Sequence, residues 1–127
     1  MTTKSKATLT TRTGFRFEVR SARPEDEPIL AEFFTHVTPD DLRFRFLGGV
    51  KAVSHERLAA MTRSDDAGIH NFVAFAADGL LIAVATLACD QPRQHGEVAI
   101  CTRADHKHLG VSWELLAYIA KCRRAGP

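Results

Sequence analysis

The sequence predicts an α+β domain, a largely antiparallel sheet with helices packed against it. Three observations carry that expectation. Segments of strand and helix patterning follow one another as strand, helices, three consecutive strands, helix. Asp78-Gly79, set between two apolar segments, is a strong signal for a two-residue hairpin turn. The segment from Leu80 to Ala88 is almost uniformly apolar, as a central strand covered on both faces must be.

Taken in order, residues 15–20 alternate apolar and polar side chains, the pattern of a half-buried strand. Arg23-Pro-Glu-Asp-Glu-Pro28 then opens a helix, its prolines and acidic residues suited to a first turn. Ile29, Leu30, Phe33, Phe34 and Val37 follow at helical spacing and make one apolar stripe. Thr38 or Asp40 caps a second short helix carrying Leu42, Phe44 and Phe46, which Gly48-Gly49 ends. A third helix, capped by Ser54, runs through Leu58 and Met61 to about Arg63. Strands are expected over 71–77, 80–88 and 96–102, with a polar loop from Asp90 to His95 before the last. A polar turn from Arg103 to Gly110 precedes a final helix with Leu115, Leu116, Ile119 and Cys122 on one face. Trp113 in its first turn reads as a packing anchor, and Tyr118 as a packed side chain.

A chain of 127 residues with 45% hydrophobic and 25% charged residues is ordinary for one globular domain. The formal charge of +2 is too small to argue for nucleic acid as a partner, and leaves room for a local basic patch that meets an anionic cofactor. No apolar run approaches the ~20 residues of a membrane span. Residues 1–14 are polar and Thr/Lys-rich with no apolar h-region, so they are expected to form a disordered tail rather than a secretory signal. Cys89, Cys101 and Cys122 are widely spaced and contain no CxxC pair, which fits a reduced, cytoplasmic protein. His95, His106 and His108 do not make a convincing metal set, and no metal is expected.

The junction of the last strand, turn and helix is where chemistry is expected. A strand that ends in a glycine-bearing turn and feeds a helix aims backbone N–H groups at the helix N-terminus, where an anion such as a pyrophosphate is favoured. Here the turn is Asp105-His-Lys-His-Leu-Gly-Val-Ser112. One glycine before a helix is also what an ordinary turn contains. Glu97, inside an otherwise apolar strand, is either a solvent-facing charge or a general base.

At these residues the chain resembles the GNAT superfamily of N-acetyltransferases, and especially the GNAT domains of bacterial protein lysine acetyltransferases. The resemblance runs from about Phe17 to Gly126. It is carried by Val19-Arg-Ser-Ala-Arg-Pro-Glu-Asp26, by the segment from Thr38 to Gly48, and by Ser54-His-Glu-Arg-Leu58. The Asp-Gly hairpin, the strand Gly96-Glu-Val-Ala-Ile100 and the glycine turn before a Leu-Leu helix complete it. The superfamily's turn pattern, Gln/Arg-x-x-Gly-x-Gly/Ala, falls on Lys107-His-Leu-Gly110-Val-Ser112. Gly110 keeps the central position, while Lys107, His108 and Ser112 depart from the usual residues.

The resemblance implies a partial GNAT domain over 15–127, without the strand, helix and hairpin that complete such domains. It implies acetyl-CoA as cosubstrate, held by Ile100, Cys101 and Thr102 along the pantetheine arm and by Lys107, His108, Leu109, Gly110, Val111 and Ser112 at the pyrophosphate. Arg123 and Arg124 either help meet the cofactor's charge or are a solvated helix end. Glu97 is implied as the catalytic base, taking the proton of an acceptor amine such as a protein lysine. The edge left by the absent elements implies a homodimer. A second reading is a non-catalytic acyl-CoA-binding or dimerisation module. The two differ in whether any amine is acetylated.

Overall fold

The computed structural model describes residues 6–38, 40–41, 55–62, 69–89 and 96–124. Five strands, β1 (Ala7–Thr10), β2 (Arg16–Ser21), β3 (Ile69–Ala76), β4 (Leu81–Cys89) and β5 (Gly96–Thr102), form one antiparallel sheet in the order β1-β2-β3-β4-β5. The helices α1 (Glu27–Phe34) and α2 (His55–Ala60) lie between β2 and β3 in sequence, and α3 (Val111–Arg124) follows β5. This is the expected α+β layout. Among the described residues no helix is long and apolar enough to cross a membrane.

β4 explains why there are two layers of helix. Leu81, Ile82, Ala83, Val84, Ala85 and Leu87 are all buried, so apolar cover is needed on both faces of the sheet. On one face Phe17, Val19, Phe72, Ile82 and Leu87 pack against Val111, Leu115 and Ile119 of α3. On the other, Val73, Leu81, Val84 and Cys101 pack against Leu30, Phe33 and Phe34 of α1 and Leu58 of α2. Each large side chain wholly buried in this way contributes about 1.5–3 kcal/mol. The spacing of Val111, Leu115 and Ile119 is i, i+4, i+8, one stripe on α3. That stripe leaves Leu116 at 41% and Trp113 at 67% exposure, so neither belongs to the core as the sequence suggested. Ile29 of α1 is likewise exposed, while Leu30, Phe33, Phe34 and Val37 are buried.

Residues 7–14 are not the disordered tail expected of them. Ala7–Thr10 pairs with β2, with Leu9 opposite Phe17, and the chain turns through Thr11–Phe15. Thr11 is buried, its N–H donates to Phe15 O at 2.9 Å, and its Oγ1 accepts from Phe15 N. Polarity concealed this strand, because threonine is polar yet β-branched and fits a pleated surface. Leu9 and Phe15 then pack against the α3 face.

Two further expectations shift in detail. The hairpin at Asp78-Gly79 holds three residues rather than two: Ala76 N–H donates to Leu80 O, Gly79 N–H to Ala76 O, and Gly79 takes φ +89°. A three-residue loop with its last residue left-handed is the alternative hairpin geometry, and it accompanies the register shift at Ala74/Phe75. Thr38 Oγ1 accepts from Asp41 N–H at 3.2 Å, the hydrogen bond a cap at Thr38 would make. The other residues of that expectation, Leu42, Phe44, Phe46 and Gly48-Gly49, lie outside the described residues, as do Ser54, Arg63 and the Asp90–His95 loop.

The entry into α1 is held by a buried ion pair. Asp26, 3% exposed, accepts from Arg20 Nη1 and Nη2 at 2.8 and 2.9 Å and from Arg23 N–H at 2.8 Å. Burial disfavours the charged carboxylate, but the hydrogen bonds from Arg20 and the Arg23 backbone outweigh it, and the Asp26 pKa falls below its ordinary 3.8. The same hydrogen bond raises Arg20, whose guanidinium also lies 4.9 Å from the centre of the Phe75 ring. Because the folded pKa is depressed, the stabilisation is present above the unfolded value of 3.8 and is lost as pH falls through the folded one. Asp26→Asn should therefore lower unfolding stability by about 2 kcal/mol at pH 7. The gap from wild type should shrink in urea titrations repeated at pH 3; an equal gap at both pH values would show that the charge is not what matters.

Candidate cofactor and active site

The site begins with the edge of the sheet. β5 pairs with β4 on one side, and among the described residues no strand pairs with the other. Arg103 N–H donates to Ile82 O at 2.8 Å, continuing the ladder one residue past β5. In an antiparallel pair the inward-bonded residues alternate, so Glu97, Ala99, Cys101 and Arg103 direct their backbone groups to β4. Val98, Ile100 and Thr102 direct theirs to the open edge. Of the three residues expected along a pantetheine arm, Ile100 and Thr102 turn their backbone groups to the open edge. Cys101 does not: its backbone is committed to β4 and its side chain is buried on the α1 face. Val98 is the third residue of β5 whose backbone groups face that edge.

Beyond Thr102 the chain crosses the end of the sheet, and here a residue the sequence reading left in a polar turn governs the geometry. Arg103 is 7% exposed. Its Nη1 and Nη2 donate to Glu32 Oε1 and Oε2 at 3.2 and 3.4 Å, and Ala104 N–H donates to His36 O at 2.8 Å. These contacts tie the turn to α1 and to the residues just after it. The hydrogen bond from Arg103 is the main reason the Glu32 carboxyl sits below its ordinary range. Asp105 is lowered too, chiefly by its 2.7 Å hydrogen bond with His106, whose ring packs edge-on to Phe15 at 5.9 Å. No periodicity marks Arg103 as buried; its partner is 71 residues away in sequence.

Gly110 then takes φ +89° and hands over to α3, its carbonyl accepting from Glu114 N–H at 3.2 Å. Gly110 is therefore the helix cap, and Ser112 lies inside the first turn rather than capping it. Val111 is buried to the core, and Leu109 is half-buried against the same cluster. Lys107 is engaged: its Nζ lies 2.7 Å from Asp41 Oδ2. His108, Leu109 and Gly110 line a cavity of about 400 Å³ together with Arg12, Thr13, Trp113 and Glu114.

Glu97 stands apart from this cluster. It is exposed, opposite Ala88 in the pairing and on the α1 face, since alternate residues place it on the side of Cys101. Five steps along the strand separate it from Thr102, about 16 Å at strand rise. The site is thus linear: a carboxylate at one end of β5, a backbone edge along it, and a glycine turn with a helix N-terminus at the other. Arg123 and Arg124 close α3, and their side chains lie outside the described residues.

No protein-family model matches the chain. Its fold is similar to the crystal structure of the GNAT domain of S. lividans PAT, with a TM-score of 0.85 at 23% identity, over 94% of this chain and 72% of that one. It is similar also to a glutamate-to-alanine mutant of the cAMP-binding acyltransferase from Mycobacterium smegmatis, at TM-score 0.51 and 19% identity. There the match covers 88% of this chain and 33% of the other, so this chain spans about a third of that protein. The chain has the GNAT fold: an α+β domain whose antiparallel sheet carries α1 and α2 on one face and α3 on the other.

The Gly110 conformation is open to a direct test. An alanine Cβ there would meet Thr11 at 3.4 Å, an ordinary contact, so the left-handed φ alone sets the cost. Gly110→Ala should destabilise the fold by about 1–2 kcal/mol. Unchanged thermal and urea unfolding in this variant would mean the turn does not require positive φ.

Proposed function

We propose that this chain transfers an acetyl group from acetyl-CoA to a primary amine, with protein lysines as the acceptor class. The observation that carries the proposal is the linear arrangement on β5 of a GNAT fold. Outward backbone groups at Val98, Ile100 and Thr102 run into a left-handed glycine and the first turn of a fourteen-residue helix. An extended arm bearing amides pairs with such an edge as an added strand would. A pyrophosphate suits the N–H groups of the first α3 turn at Val111, Ser112 and Trp113.

Acetyl-CoA supplies the activated acyl group as a thioester, with CoA thiolate as leaving group. The chain's own part is to orient and to move a proton. An ammonium does not attack a carbonyl, so the acceptor must lose a proton first. Glu97 is the carboxylate on β5, and its exposure leaves it within reach of an incoming amine, directly or through water. The arm along the edge holds the thioester near the Glu97 end, and Gly110 keeps the turn clear of a side chain.

Two measurements test this. Calorimetric titration of acetyl-CoA into the full chain should show micromolar binding. Glu97→Gln should leave that binding intact while lowering kcat for acetylation of a lysine peptide by at least about a hundredfold, the scale of general-base catalysis. A Glu97→Gln variant as active as wild type would remove Glu97 from the mechanism.

The open β5 edge also favours a second reading, in which the chain binds acyl-CoA or a second copy of itself without catalysis. Under that reading acetyl-CoA binds and no peptide is acetylated. If a second copy pairs with the edge, acetyl-CoA should shift the oligomeric state seen by light scattering.

A further inference from the structure

The cavity beside the N-terminus of α3 is larger than a helix cap needs, and its walls come from two distant segments. Arg12 and Thr13 belong to the turn between β1 and β2; His108, Leu109, Gly110, Trp113 and Glu114 belong to the other side. Its volume of about 400 Å³ falls in the range of small-ligand sites. Arg12 has no ion-pair or hydrogen-bond partner for its guanidinium among the described residues. Trp113, the chain's single tryptophan, is 67% exposed although aromatic rings of that size are mostly covered. A free guanidinium and an uncovered indole around one cavity fit a ligand with a phosphate and a flat aromatic base.

We propose that this cavity holds the adenosine 3′-phosphate end of acetyl-CoA, Arg12 pairing with the phosphate and Trp113 stacking on the adenine. The proposal rests on the acetyl-CoA reading above and extends it to residues outside the glycine turn. Glu114 fixes the polarity. A phosphate is repelled from its carboxylate and drawn to the Arg12 and His108 wall, while the exocyclic amine of adenine is a donor that a carboxylate accepts. The turn bearing Arg12 is held in place by the Thr11–Phe15 hydrogen bonds. β1 thereby gains a role: it carries a cation to the cofactor.

Because Trp113 is the sole tryptophan, its fluorescence reports on the cavity alone. The full chain, its Arg12→Ala and Arg12→Gln variants and Trp113→Phe are titrated with acetyl-CoA, its 3′-dephospho form and adenosine 3′,5′-bisphosphate, with calorimetry in parallel. Acetyl-CoA and the bisphosphate should quench Trp113. Loss of the 3′-phosphate should weaken binding to wild type by about tenfold, the worth of one charge-assisted contact. Both Arg12 variants should bind the two cofactor forms equally. Heat of acetyl-CoA binding without any change in Trp113 emission, and with Arg12 variants that match wild type, would overturn the proposal and leave the acetyl-CoA reading standing. Quenching by the bisphosphate with no binding of acetyl-CoA would overturn the acetyl-CoA reading and with it the assignment of the cavity to that cofactor. A folded chain that binds none of the three would overturn both.

Discussion

The pairing of β5 with β4, carried one residue further by Arg103 N–H to Ile82 O, decides which half of the β5 backbone remains available. A shift of one residue would turn Val98, Ile100 and Thr102 inward and move every side chain of β5 to the opposite face. Cys101 would then leave the α1 core and Glu97 would face α3. The register is pinned because β4 is buried on both faces, and no other alignment covers Leu81 and Val84 on one side with Ile82 and Leu87 on the other.

That register propagates beyond the sheet. Arg103 leaves β5 with its side chain on the α1 face, where Glu32 meets it, and its backbone in the ladder. The turn that follows is consequently held at both ends, by α1 through Arg103 and Ala104 and by the α3 core through Val111. Between those anchors, Gly110 reverses the chain in a conformation few residues tolerate. The helix N-terminus, the cavity and the open edge are positioned by this one run of contacts.

The proposed function rests on what the fold leaves unused. Among the described residues, backbone groups at an edge, the first N–H groups of α3, an exposed indole and a guanidinium without a partner are each idle, and each would suit part of the elongated anionic cofactor we propose. Lys107 illustrates the converse. It occupies the first position of the phosphate-binding pattern, yet its ammonium is already met by Asp41. In the proposed complex the cationic contribution would come instead from Arg12 on the β1–β2 turn, which has no partner among the described residues.

Much of this was legible in the sequence. The strand and helix order, the two-sided burial of β4, the strand at 96–102 and the glycine turn all follow from local pattern, since periodicity and turn chemistry act over a few residues. Gly110 could be singled out for the same reason, whereas Glu97 is singled out only by the resemblance to the GNAT superfamily. What the tertiary structure alone decided is which groups meet. Whether Cys101 or Val98 faces the edge depends on pairing with β4. Whether Trp113 is core or surface depends on the phase of the Val111–Leu115–Ile119 stripe against the sheet. The strand at 7–10 and the burial of Arg103 rest on partners far along the chain, β2 and Glu32 among them. Contacts of that kind leave no local period to read, because their free energy is gained only when distant segments have already been brought together.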